Sequence, residues 1–169
     1  MKFSYRLLKK LVPQIKGKKE LSEKLALYAF EIDSFKGNAI DIKLPPNRYD
    51  AAGHVGLARE ISAVLGRRLK IKLPEPSKIR AKANFKVEIK DKKLCPRYMA
   101  QYFDLGNMKK TPVWMKNVLI DCGMRPINTI VDIMNYAMLE TGQPIHAFDF
   151  DKLGVKDKKS GIKKIVARK

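Results

Sequence analysis

The chain has 169 residues, 45% of them hydrophobic, with 36 Lys and Arg against 17 Asp and Glu and a formal net charge of +19. That length suits one compact domain or two small ones, no run approaches the roughly 18 apolar residues of a membrane span, and "MKFSYRLLKKLVP" lacks a signal-peptide core, so a cytoplasmic protein is expected. The charge favours a polyanion over a membrane surface, and Cys95 and Cys122, far apart and without a CxxC, point to buried thiols, not to a disulfide framework or zinc knuckle.

In chain order, Ser4 is placed to cap a short helix whose apolar face is Leu7, Leu8, Leu11 and Val12, with Pro13 as its stop. In "ELSEKLALYAFEI", Leu21, Leu25 and Tyr28 recur at helical spacing, whereas "AIDIKLP" alternates Ile40, Ile42 and Leu44 with Asp41 and Lys43 as a strand does. Asp50 is placed to cap a longer helix carrying Leu57, Ile61, Val64 and Leu65, closed by Gly66. Asn47, Arg48 and Asp50 are expected to fix the entry to that helix by local hydrogen bonds, with His54 on the surface of its first turn. Residues 1–72 thus read as a small helix-rich module. The two prolines and scattered lysines of "KLPEPSKIRAKAN" make 73–84 a linker.

A second unit is expected over 85–169. "FKVEIKD" alternates Phe85, Val87 and Ile89 with charged residues, and "RYMAQYFDLG" is rich in strand-favouring side chains, so two strands are expected. A helix comes next, with Thr111 as cap, Pro112 at its first position, Trp114, Met115, Val118, Leu119 and Cys122 toward a core, and Gly123 as stop. Another runs from Asn128 to Gly142 with the apolar stripe Ile130, Ile133, Met134, Ala137 and Met138, leaving Asp132 and Asn135 on a different face. "IKKIVARK" closes the chain as an edge strand.

This layout puts Arg125 of "GMRPIN" in the loop between the two helices, Asn135 on the second helix, and Pro144 and His146 of "GQPIHAFD" in the loop after it, where the polar groups can face one crevice. No metal site is expected, since His146 has no second His or Cys at a ligand spacing and Asp149 is a single hard ligand. No Ser or Cys nucleophile stands beside a His, so covalent acyl transfer has no support. From composition and spacing, a satisfied loop histidine remains an open reading of His146 beside a site group.

The stretch "MRPINTIVDIMNYAMLETGQPIHAFDFDKL" resembles the segment of bacterial phenylalanine-tRNA ligase beta subunits in which Arg-Pro-Ile-Asn, Val-Asp, Asn-Tyr and Gln-Pro-(Ile/Met/Leu)-His-Ala-Phe-Asp occur in this order and spacing. "MKFSYRLLKKLVP" resembles the start of that subunit, "PPNRYDAAGHVGLAREISAVLGR" its Pro-Asn-Arg-x-Asp helix segment, and "CPRYMAQYF" the entry to its editing domain. The resemblance implies an N-terminal part of a beta subunit that works beside an alpha subunit carrying the ATP- and Mg-dependent aminoacylation site. It also implies binding of the phenylalanine tRNA and hydrolytic editing of tyrosine wrongly esterified to it. A pocket for an apolar ring rejects an added hydroxyl by only about a hundredfold, so a second sieve is needed. Carried over by position, Arg125 and Pro144 would be substrate- and tRNA-binding positions, with Arg125 holding the tRNA end. Asn135 and His146 would be the catalytic pair that lines the aminoacyl pocket and positions the attacking water.

Two departures shape the expectation. The OB-type tRNA-binding domain that family members insert after a "GFE(V/I)" stretch is not expected here, because "AFEIDSFKGNAIDIK" runs straight on. The chain stops at "IVARK", where the editing domain is expected to be half built, with the acidic residue for the tyrosine hydroxyl supplied by the remainder of the beta subunit. The expectation is therefore an α+β chain, a helix-rich N-terminal module followed by part of a layered sheet-and-helix editing domain, binding no cofactor itself and inactive alone. The alternative is a stand-alone basic RNA-binding module whose lysines only contact phosphate.

Overall fold

The structure is a computed structural model that describes residues 1–71, 84–154 and 160–169. All of the expected linker except Asn84 lies outside the described residues. The fold is α+β, as expected. In order the elements are β1 (Lys2–Ser4), α1 (Tyr5–Leu11), α2 (Lys18–Tyr28), β2 (Ile32–Lys36), β3 (Ala39–Ile42), a 3-10 turn (Tyr49–Ala51), α3 (His54–Leu65), β4 (Phe85–Ile89), α4 (Val113–Asp121), α5 (Thr129–Thr141) and β5 (Lys163–Ala167). None of the described helices is long and apolar enough to cross a membrane.

The chain divides into two units, one made of Met1–Leu73 with Lys109–Ala147, the other of Pro74–Met108 with Phe148–Lys169. In the first, β1, β3 and β2 form an antiparallel sheet in that order, with Phe3 opposite Ile40 and Phe35 also opposite Ile40. The hairpin between β2 and β3 turns at Gly37, whose φ of +57 is costly for any residue with a Cβ. The alternation that marks "AIDI" as a strand sends Ile40 and Ile42 fully into the core, where they meet Phe3, Leu8, Leu21, Leu25, Leu57 and Ile61. Burying each such side chain contributes about 1.5–3 kcal/mol, so this cluster dominates the stability of the unit.

Helices α4 and α5 pack on α1, α3 and β1, and Val118 joins the same core. The sequence boundaries 1–72 and 85–169 group these helices with the C-terminal strands, whereas the structure seats them on the N-terminal module. Apolar spacing identifies a helix's buried face but not its partner, which explains the difference.

In the second unit β4 and β5 pair in parallel, Phe85 opposite Lys163 and Ile89 opposite Ala167. The strand expected in "RYMAQYFDLG" does not form: residues 97–106 are irregular, with Met99 and Phe103 exposed. Strand propensity reports packing against a pleated neighbour, and no described strand lies beside this stretch. Two strands escape the sequence pattern. β1 is too short to show a period, and β2 carries a register shift between Ile32 and Ser34 that breaks its alternation.

Candidate functional site

The expected site residues are carried by the connection between α4 and α5, by α5 itself and by the stretch after it. α4 begins after Pro112, which is itself the N-cap, so Thr111 does not cap it. Thr111 is instead buried and donates its hydroxyl to Asp132 at 2.6 Å. Asp132, expected with Asn135 on a face away from the apolar stripe, is 1% exposed, and its second oxygen accepts from the Ile127 amide at 2.8 Å. The helix expected from Asn128 to Gly142 spans Thr129–Thr141; Asn128 caps it, accepting from the Val131 amide at 3.0 Å, and Gly142 ends it with φ +77. Only Asp132 and Leu139 of α5 are fully buried, so the expected apolar stripe is half-covered. Trp114 is 49% exposed, with its edge against Tyr136 at 5.2 Å and the Lys10 ammonium 5.2 Å from its ring centroid.

Arg125 is exposed in the connection before α5, Asn135 is half-buried in mid-helix, and Pro144 and His146 are exposed in Gln143–Ala147, which has neither helix nor strand. A thirteen-residue helix spans about 20 Å, so Arg125 precedes one end of α5 and Pro144 and His146 leave from the other. Among the described residues no hydrogen bond or ion pair joins any two of the four. A cleft of about 190 Å³ opens at the start of α5, lined by Lys110, Thr111, Lys116, Pro126–Thr129 and Asp132. Within the other unit, Tyr102, Phe150 and Lys163 line a pocket of about 490 Å³, with the Lys163 ammonium 4.5 Å from the Phe150 ring centroid.

Sequence reasoning misplaced the second histidine. His54, expected on the surface, is fully buried. α3 starts four residues after Asp50, with Gly53 as its N-cap, so Asp50 does not cap it. Arg48 binds Asp50 through Nε and Nη2, both at 2.9 Å, as expected of these two residues, and it also reaches Glu60 at 2.7 Å, a partner not expected from the sequence. His54 Nε2 accepts from the Ser4 amide at 2.8 Å, so the proton sits on Nδ1, which donates to the Leu139 carbonyl at 2.7 Å. Burial pushes the imidazole down to about 4, leaving it neutral at pH 7. Cys122 Sγ lies 3.8 Å from the same Nε2, but that lone pair is taken, and burial helped by the Asp121 charge pushes the thiol up to about 12. No thiolate–imidazolium pair forms there, and the arrangement is structural.

Residues 94–169 match the B3/4 domain family, a span that holds all four expected site residues. Among curated proteins the chain is similar to phenylalanine–tRNA ligase beta subunits: 46% identical over 114 residues to that of Desulfotalea psychrophila and 43% over 114 residues to that of Thermotoga maritima. The beta subunit of Coxiella burnetii is 44% identical over 117 residues. Each alignment covers 68% of this chain and 14% of the relative, so the chain aligns with a small part of those proteins. The chain carries a B3/4 domain match over residues 94–169 and is related to phenylalanine–tRNA ligase beta subunits over about two thirds of its own length.

Proposed function

We propose that the chain serves as an N-terminal part of a phenylalanine–tRNA ligase beta subunit, joining an alpha subunit and the remainder of a beta subunit in attaching phenylalanine to its tRNA and in hydrolysing mischarged tyrosyl-tRNA. One observation carries this reading. Arg125, Asn135, Pro144 and His146 all fall inside the span matched as a B3/4 domain, on one continuous stretch through α5, in a chain 46% identical over 114 residues to one such beta subunit. The exposed guanidinium of Arg125 suits a phosphate of the tRNA end, and Pro144 stiffens the segment that presents His146. Asn135 and His146 supply amide and imidazole partners that orient water toward the aminoacyl ester, a task in which placement within about an ångström decides the rate. ATP and Mg²⁺ serve the alpha subunit in this reading. Among the described residues no three His, Cys, Asp or Glu are grouped to hold a metal.

The test is single-turnover loss of labelled tyrosine from phenylalanine tRNA, with phenylalanyl-tRNA as control. The chain alone is expected to give background hydrolysis, and the complex with alpha subunit and complementing beta portion to be active. His146→Ala in that complex should lower the rate at least about tenfold with tRNA binding nearly intact, as for a group acting in the transition state. An unaffected variant would return His146 to a structural role. The net charge of +19 favours a second reading, a basic RNA-binding module without editing, which tight salt-sensitive tRNA binding by an inactive complex would support.

A further inference from the structure

The C-terminal end of α5 is held by the first residues of α3. Gly53 has extended backbone, φ −125, yet a Cβ there would stand 2.4 Å from the Gly142 amide nitrogen and 2.6 Å from the Thr141 carbonyl carbon. Gly142, at φ +77, faces it in turn, since a Cβ on Gly142 would meet the Gly53 nitrogen at 3.1 Å. One residue on, His54 Nδ1–H donates to the Leu139 carbonyl, one of the last carbonyls that a helix leaves without an internal partner. Its other nitrogen is tied to the Ser4 amide, where α1 begins, so the ring is fixed at both ends.

Apart from the fixed φ of Pro144, the residues that leave α5 have little of their own to set their course. Gln143–Ala147 forms no helix or strand, and its one hydrogen bond among the described residues runs from the Gln143 amide to Thr141 Oγ1 at 3.3 Å. The direction in which the chain leaves Gly142 therefore decides where Pro144 and His146 stand. We propose that Gly53 and His54 are positioning residues for Gln143–Ala147, fixing the exit of α5 and thereby the place of His146 without touching substrate. The activity arm of the test rests on the editing role proposed above; the spectroscopic arm does not.

Gly53→Ala adds a Cβ where the backbone tolerates alanine, so its effect is the collision with Gly142. Gly53→Ser adds the same Cβ while supplying a preferred capping residue, which separates collision from loss of a cap. Gly17→Ala is the control, since Gly17 is likewise the N-cap of α2 in extended conformation and has nothing within 4 Å of an added Cβ. In the 169-residue chain the ring resonances of His146 should move in Gly53→Ala and Gly53→Ser and stay in Gly17→Ala. In the complex, tyrosyl-tRNA deacylation at saturation should fall at least about tenfold in both Gly53 variants, with the tRNA dissociation constant within about twofold. His54→Gln releases the Leu139 carbonyl without adding bulk at Gly53 and should act in the same direction, deciding the matter if the Gly53 variants do not fold. Unmoved His146 resonances in folded variants, equal effects of Gly17→Ala, or a loss confined to tRNA affinity would overturn the proposal. If the unsubstituted complex shows no deacylation, the editing reading falls, and the resonances alone decide the positioning.

Discussion

Thr111 and Asp132, 21 residues apart and both buried, share a 2.6 Å hydrogen bond that ties the approach to α4 to the first turn of α5. Thr111→Val keeps the shape but leaves one carboxylate oxygen without its donor, at a cost of about 1–3 kcal/mol. The urea midpoint should fall accordingly, and Thr111→Ser should recover most of it. An unchanged midpoint in Thr111→Val would show that water replaces the hydroxyl freely.

His54 gives the fold an acid sensitivity. Burial lowers its folded value to about 4, below the ordinary 6.5, so the unfolded chain binds the extra proton first. The associated stability is complete above pH 6.5 and is lost as pH falls toward 4, with a slope of up to about 1.4 kcal/mol per pH unit. Urea melts at pH 7 and 4.5 should show this loss, and His54→Gln should flatten it even if it lowers stability throughout.

Glu20 acts lower on the pH scale. Hydrogen bonds from the Arg67 guanidinium hold its carboxyl down at about 2, against an ordinary 4.5. Its contribution is present above pH 4.5 and disappears as pH falls through 2. Glu20→Gln should therefore narrow the difference between midpoints at pH 5 and pH 2.5. Equal differences in parent and variant would remove Glu20 from the account.

The thiols should differ in reactivity. With Cys122 pushed up to about 12, almost none of it is thiolate at pH 8, so iodoacetamide should label Cys95 first. Peptide mass spectrometry after timed quenching reads the order. Equal rates would mean that Cys122 opens to solvent far more often than its packing implies.

The charge has its own measurement. If the net +19 contacts tRNA, the logarithm of affinity should fall with the logarithm of salt by about 0.7 to 0.9 per phosphate neutralised. A flat dependence would leave lysine-rich coding as the better explanation.

The ends of α5 were legible because each is written in one residue, Asn128 with its capping oxygen and Gly142 with its left-handed backbone. The start of α3 was not. Asp50 has the chemistry of a cap, but Arg48 holds its carboxylate and the helix begins at His54. His54 itself looked superficial because both of its partners are remote, Ser4 lying 50 residues before it and Leu139 85 after it. Local periodicity carries no trace of such bonds. Arg125, Asn135, Pro144 and His146 were identified by likeness of motif, yet no hydrogen bond among described residues links them, and their joint action is a matter for kinetics.

The parallel pairing of β4 with β5 also bears on synthesis. β4 meets a partner encoded about 80 residues later, so at roughly 5–20 residues per second about 4–16 s of synthesis separate the two strands. Its sequence, "FKVEI", sets a lysine and a glutamate between its apolar side chains. Charge within a strand discourages pairing with the wrong neighbour, and in the finished sheet the same Glu88 pairs with Lys164.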